Sequence, residues 1–482
     1  MIKAKHTVDT KDILAMDATT LASKIANQEI SSLYATKTYI EHLKKANSKI
    51  NCLVENRFDE ALKEAKIIDA TIKQNRMKHK KLLGVPISMK ESFDVTGMKT
   101  TGGLIHLKNA VRDKDAEIVA RLKSEGAIIL GKTNTPALCF CQETDNKLYG
   151  RTNNPWDLTK TSGGSSGGEA ALLAVGGAAA GIGSDIGGSI RFPSHFNGVI
   201  GFKSGHRQVS QDGSFPQANI PLQERMLGIG PITKSVKDAN IMYNIISKQP
   251  APRRDLTNFT ITILPHMHYP MSDDTEAMLT KVQKQMEDEF DTLREVPPFF
   301  DQSALLWQEM MSVDGGESIA KITFNQKKRR ETREYIKEML TRKSDIHRYL
   351  SWALIGAKLF KPSQKRINEL NDTIRKGDEQ LNNYLDDRIL IFPVYHTSAL
   401  RHGHLYKEIF SIRKTFLKYM PYVAYANVWG LPALIIPIQN DKQHMPMAVQ
   451  LISKNGNEDA LFQLGEWLEG LNRGYIRCTT FD

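Results

Sequence analysis

Residues 163 to 193 read GGSSGGEAALLAVGGAAAGIGSDIGGSIRFP, and no flexible segment has this form. The first six residues alone would behave as a Gly/Ser coil. They run straight into an apolar, ordered-looking stretch, and a linker does not enter a core. Glycine is also the residue of choice where backbone must pass closely by another chain segment or by a ligand, because it carries no Cβ. In that stretch Ser165, Ser166 and Ser189 are each framed by glycine.

The rest of the chain is compatible with a fold of that kind. At 482 residues, 40% hydrophobic and 25% charged, it is an ordinary globular sequence rather than a disordered or fibrous one. No run of eighteen apolar residues occurs, and MIKAKHTVDTKDILAMD contains no apolar stretch of signal-peptide length. The expectation is a soluble, cytoplasmic protein with no membrane span. The cysteines, Cys52, Cys139, Cys141 and Cys478, are too few for a disulfide framework and lack metal-site spacing, so free thiols and no metal are expected. Cys139 and Cys141 read as an alternating pair in an extended segment. The net charge of +11 raises a nucleic-acid partner as a question. The densest basic run, QKKRRETREYIKEMLTRK at 326 to 343, carries glutamates at helical spacing and reads as a solvated helix face, so no such partner is expected.

The order of elements points to α/β. DATTLASKIANQEI and SSLYATKTYIEHLKKANSKI have helical periodicity, with Asp17 and Ser31 as N-caps. GVPISMKES is a strand in which Val85, Ile87 and Met89 alternate with Pro86, Ser88 and Lys90, placing Lys90 on the polar face at the strand end. DAEIVARLKSEG is a helix closed by Gly126, and AIIL is a buried strand. GAIILGKT, residues 126 to 133, satisfies the phosphate-loop pattern letter for letter. Its four intervening residues, however, are themselves the strand and a helix precedes them, so its amides belong to a sheet ladder. Residues of about 301 to 388 read as a charged helical insertion interrupted by Pro362. DRILIFPVY, LPALIIPI and MPMAVQLIS then return as buried strands. A single domain over 1–482 is expected, without repeats.

Three features suggest chemistry: a strand-end lysine, serines in a glycine frame, and a second framed serine in SDIGGSIRFP. There is no G-x-S-x-G elbow, and His195 and His206 are the nearby histidines, neither of them at a telling spacing. Lysine can replace histidine as the base for a serine nucleophile. Gly187 and Gly188 would let backbone N–H groups approach a substrate as an oxyanion hole requires. Taken singly, Lys90 also reads as a surface lysine and the serines as turn residues.

Taken together with LLGVPISMKESFDVTGMKTTGG, GAIILGKTNTPAL, YGRTNNPWDLTKTSGG, GPITKSVKDA and ANVWGLPALIIPI, the glycine-serine stretch resembles the signature of the amidase signature enzymes, which include bacterial amidases and fatty-acid amide hydrolases. The resemblance covers roughly 80 to 250 and 390 to 470. It implies a large mixed β-sheet covered by helices on both faces, and hydrolysis of a small-molecule amide to acid plus amine or ammonia without a cofactor. It further implies a Ser-cisSer-Lys triad: Ser189 as nucleophile, Ser165 after a cis peptide as the bridging serine, and Lys90 as the base. Ile186, Gly187, Gly188 and Ser189 would supply the oxyanion hole, with Ser166, Asp185 and Arg191 as supporting groups. Cys139, Phe140 and Ser184 fall where the wall of the substrate channel is expected. The DIGGSIRFPS form is more similar to fatty-acid amide hydrolases and broad amidases than to the glutaminase component of glutamine-dependent tRNA amidotransferases, which is the alternative. The segment HRYLSWALIGAKLFKP, 347 to 362, reads as a core helix, an acyl-pocket wall or a membrane-surface contact.

Overall fold

The computed structural model describes residues 8–74, 79–265, 269–327 and 330–482. The first seven residues, and Lys328 and Arg329 of the basic run, lie outside the described residues. Among the described residues eleven strands form one sheet. In chain order they are β1 (Leu53–Asn56), β2 (Pro86–Lys90), β3 (Ile128–Thr133), β4 (Ala180–Asp185), β5 (Ile200–Lys203) and β6 (Gly228–Thr233), followed by β7 (Thr260–Ile263), β8 (Thr292–Arg294), β9 (Arg388–Pro393), β10 (Ala433–Asn440) and β11 (Pro446–Ile452). Across the sheet the order is β1-β3-β2-β4-β6-β5-β10-β11-β9-β7-β8. β2 pairs in parallel with both β3 and β4, whereas β4–β6 and the β6–β5–β10–β11–β9 run are antiparallel. The sheet is therefore mixed, as expected.

Strand alternation shows that both faces are covered. Leu434, Ile436 and Ile438 of β10 belong to one apolar cluster, and Ala433 and Ile435 to another. In β9, Ile389 and Ile391 fall in the first cluster, Leu390 and Phe392 in the second. Successive side chains of a strand point to opposite faces, so the two clusters are the two sides of the sheet. The first takes the N-terminal helices Ala18–Ala26 and Ser32–Ile50, whose N-caps are Asp17 and Ser31 as read from the sequence. The second takes the helical stretch between β8 and β9.

Among the described residues of that stretch are five helices: Ser303–Met311, Glu317–Thr323, Glu331–Thr341, Arg348–Leu359 and Gln364–Tyr384. Pro362 falls in the break before the last, where Ser363 caps the new helix by accepting from Arg366 N. The glutamates of the basic run do more than face water. Glu334 and Glu338 are buried and accept from the Ser344 hydroxyl and amide, and Glu331 pairs with Lys358 at 2.8 Å.

The phosphate-loop pattern is settled by the ladder. Residues 128 to 133 are β3, and the buried Lys132 donates to Thr100 Oγ1 at 2.7 Å and to the Lys99 carbonyl. The extended reading of Cys139 and Cys141 is corrected. Residues Ala137–Cys139 form a short 3-10 turn in which Leu138 and Cys139 have φ of 51° and 63°. Side-chain alternation carries no information about the sign of φ, so the turn was not legible.

Candidate active site

Lys90 ends a strand with every residue buried. The face it shares with Ser88 is polar, as expected, but dry, because the helix Gly167–Ala174 packs over β2 and β4. From there the Lys90 ammonium donates to Ser165 Oγ at 2.6 Å and to Ser184 Oγ at 2.9 Å. Burial lowers the Lys90 pKa from its ordinary 10.5, opposed by the neighbouring Cys139 and by the Asp185 and Glu169 carboxylates. Glu169 is itself buried, accepts from Thr133 Oγ1 at 2.7 Å and from Ser88 Oγ, and is pushed up to about 7 by that burial.

Ser165 and Ser166 lie immediately before the helix Gly167–Ala174, and the Gly164–Ser165 peptide is cis. A Cβ at Gly164 would come within 2.6 Å of the Cys141 carbonyl oxygen, which is why that frame position has no side chain. Ser166 joins the two glycine-rich segments: its amide donates to Ser189 O at 3.0 Å and its hydroxyl to Ser184 O at 3.3 Å. The Ser189 hydroxyl faces the cavity and has no hydrogen-bond partner among the described residues.

The loop after β4 is held by a buried ion pair. Arg191 meets Asp185 through two nitrogens, each at 3.0 Å, with both side chains fully buried. Asn427 Nδ2 adds a hydrogen bond to Asp185 at 2.9 Å, and Arg191 also donates to Val423 O and Gln450 Oε1. Burial by itself would raise the Asp185 carboxyl, but the Arg191 guanidinium outweighs it and holds the group well below the carboxylate range. Asp185 also takes the Gly188 N–H at 2.8 Å and the Ile190 N–H at 3.0 Å. Within the expected oxyanion set this sets Gly188 apart. Gly188, at φ 90°, turns its N–H toward Asp185, and the amides of Ile186, Gly187 and Ser189 are the ones left open.

These groups border a cavity of roughly 880 Å³, counting its solvent-open part, lined by Ser165, Ser184, Ile186, Gly187 and Ser189 together with Cys139 and Phe140. Phe140, Trp307, Met311 and Phe410 also line a neighbouring apolar cavity walled by Trp352, Ala353, Gly356 and Ala357 of the helix Arg348–Leu359. A family model described as Amidase matches residues 34–462. The chain belongs to the amidase signature family.

Among curated relatives, this amidase is 30% identical over 491 residues to fatty-acid amide hydrolase 2-B of Danio rerio, covering 97% of the chain and 91% of the relative. It is 27% identical over 483 residues to a glutamyl-tRNA(Gln) amidotransferase component from Geotalea daltonii, covering 93% and 96% respectively. A solved 6-aminohexanoate cyclic dimer hydrolase superposes with a TM-score of 0.80 at 21% identity over 97% of this chain and all of that one. By family and relatives the amidase is a hydrolase of carbon–nitrogen amide bonds, and its fold is of the α/β class.

His195 lies outside the cavity lining: its ring is buried against Thr397 O and Ala448 N, and desolvation lowers it to about 4. Sequence reading missed Trp307, whose indole N–H donates to Ile186 O at 2.7 Å, as well as Gln142, Glu169 and Asn427. Glu169 follows the serines directly and carried a signal, a lone acid in an apolar helix. Trp307 and Asn427 reach the site across more than a hundred residues and carried none. Among the described residues no cluster of three or more His, Cys, Asp or Glu could hold a metal ion, and no helix is long and apolar enough to cross a membrane.

Proposed function

We propose that the amidase cleaves a linear carboxylic amide through an acyl-enzyme on Ser189. Lys90 accepts the Ser189 proton by way of Ser165, and Ser165 returns it to the departing amine. Water then attacks the ester carbonyl of the acyl-enzyme, frees the acid and restores the Ser189 hydroxyl. The observation that carries this reading is the 2.6 Å contact between the buried Lys90 and Ser165 at the edge of the cavity that Ser189 lines. Ile186, Gly187 and Ser189 amides receive the developing oxyanion. Only a neutral lysine can take the proton, and desolvation favours that form.

The sign of the pH dependence follows. Lys90 has a lowered folded pKa, so its active, neutral form grows as pH rises through that value. The kcat/KM profile is expected to rise along an alkaline-going limb centred below the ordinary 10.5; a limb at or above that value contradicts Lys90 as the base.

The apolar neighbouring cavity favours a hydrophobic acyl chain. Filling it with Ala353→Phe is expected to lower kcat/KM for long acyl chains by about tenfold while changing short ones by less than about twofold, the lower end of what one methylene in an apolar pocket supplies. The reading as a whole is tested by amine release from an acyl-chain series of anilides and primary amides with free glutamine included. Turnover that climbs with chain length supports it; turnover of glutamine alone would instead favour the glutaminase role of a tRNA amidotransferase, the assembly named for the Geotalea relative.

A further inference from the structure

Lys90 Nζ donates to three oxygens among the described residues: Ser165 Oγ at 2.6 Å, Ser184 Oγ at 2.9 Å and the Ser184 carbonyl at 3.4 Å. Two of the three belong to Ser184, a residue that the proton path from Ser189 to Lys90 does not use. Ser184 is half-buried in β4 and lines the cavity. Its place is set by backbone. β4 pairs Ser184 with Ile229 of β6 and sets Ile182 beside Met89, the neighbour of Lys90, and Ser166 Oγ donates to the Ser184 carbonyl at 3.3 Å. A neutral amine has two N–H bonds and a single lone pair, and nothing in the amine itself decides which neighbour the lone pair faces. Were it to face Ser184, Ser165 would have no base.

Resting on the amide-hydrolase reading above, we infer that Ser184 is a positioning residue for Lys90: its hydroxyl and carbonyl oxygens take the two N–H bonds of the neutral amine and so leave the lone pair facing Ser165. A carbonyl can only accept, which commits one N–H to Ser184. The hydroxyl takes the other, and the shortest of the three contacts, to Ser165, is left to the lone pair. As Ser189 Oγ bonds to the substrate carbonyl carbon, its proton passes to Ser165 Oγ, and the proton that Ser165 gives up becomes the third N–H of Lys90. The ammonium so formed has an oxygen for each of its three N–H bonds without turning. Ser184 thus acts through Lys90, while bond cleavage stays with Ser189, Ser165 and Lys90.

The test is the pH profile for the p-nitroanilide of a medium-chain acid, with kcat and KM read separately for the wild type, Ser184→Ala and Ser184→Thr. Ser184→Ala is expected to lower kcat on the alkaline plateau by about 10–50-fold, part of what a positioned base contributes, with KM held within about twofold. A hydrogen bond from an ionised donor is stronger than one from a neutral donor, so losing the Ser184 acceptor costs the ammonium more than the amine. The alkaline-going limb should therefore move to lower pH, by about 0.5–1. Ser184→Thr returns a hydroxyl and should recover most of both effects. In the Lys90→Met background Ser184→Ala should cost less than about threefold more, since no amine is left to orient. A limb that stays in place, a loss carried by KM rather than kcat, or the full loss repeated in the Lys90→Met background would each overturn the inference and make Ser184 a piece of cavity wall. Those outcomes leave the amide-hydrolase reading standing. Turnover that persists undiminished in Ser189→Ala would overturn that reading itself, and the inference with it.

Discussion

Ser189→Ala is expected to lower kcat/KM for an apolar anilide by at least about 10⁴-fold, and Lys90→Met by at least about 10³-fold, with the double variant little worse than Ser189→Ala alone. Groups that act on one proton path are strongly non-additive, since removing the nucleophile already removes the purpose of the base. The Ser189 change deletes one hydroxyl from a side chain that has no hydrogen-bond partner among the described residues, so the fold is expected to survive. The Lys90 change removes a cation from a site where desolvation already disfavours it. Steady-state amine release, with thermal midpoints measured alongside, checks both. Additive losses would mean that the two residues serve separate steps and would sink the shared path.

The largest stability effect is expected at Arg191. Arg191→Met leaves the Asp185 carboxylate buried beside Asn427 without its cation, and breaking one side of a fully buried ion pair costs about 3–5 kcal/mol. Asp185→Asn/Arg191→Met should recover much of that loss, because no isolated charge remains. The pH behaviour has a definite sign. The folded Asp185 carboxyl lies below its ordinary 3.8, so the pair contributes fully above that value and its contribution is lost as pH falls toward the folded pKa. Urea midpoints taken across the acid range should therefore converge for wild type and the double variant. The single variant removes the guanidinium that fixes Asp185, the acceptor of the Gly188 and Ile190 amides, so its remaining folded fraction should turn over more slowly.

What could be read in the sequence was local. Ser165, Ser189 and Lys90 stand in short stretches whose glycine frame or strand alternation is legible without tertiary information, and Asp17 and Ser31 announced their helices in the same way. What could not be read depends on folding. Trp307 reaches Ile186 from a helix 121 residues away, and no periodicity signals the left-handed Leu138 and Cys139 of the turn that borders the cavity. The Gly188 amide looked available because glycine permits close approach. Its direction is decided by Asp185, three residues earlier, and backbone permission does not say which way an N–H points. The strands β5 and β6 were likewise hidden, since IGFK and GIGPIT sit in a glycine-rich region that lacks the β-branched alternation of a typical strand.

The bond-breaking groups proposed here lie at the end of β2 (Lys90), just before the helix Gly167–Ala174 (Ser165) and on the loop after β4 (Ser189), all between residues 90 and 189, whereas the wall of the apolar cavity comes largely from residues 307 to 360. The two tasks are therefore heritable separately. A library confined to the helices between β8 and β9, with Trp307 kept because it holds Ile186 O, can exchange one acyl preference for another without disturbing proton transfer, and divergence among relatives should concentrate there before it reaches the glycine-framed serines.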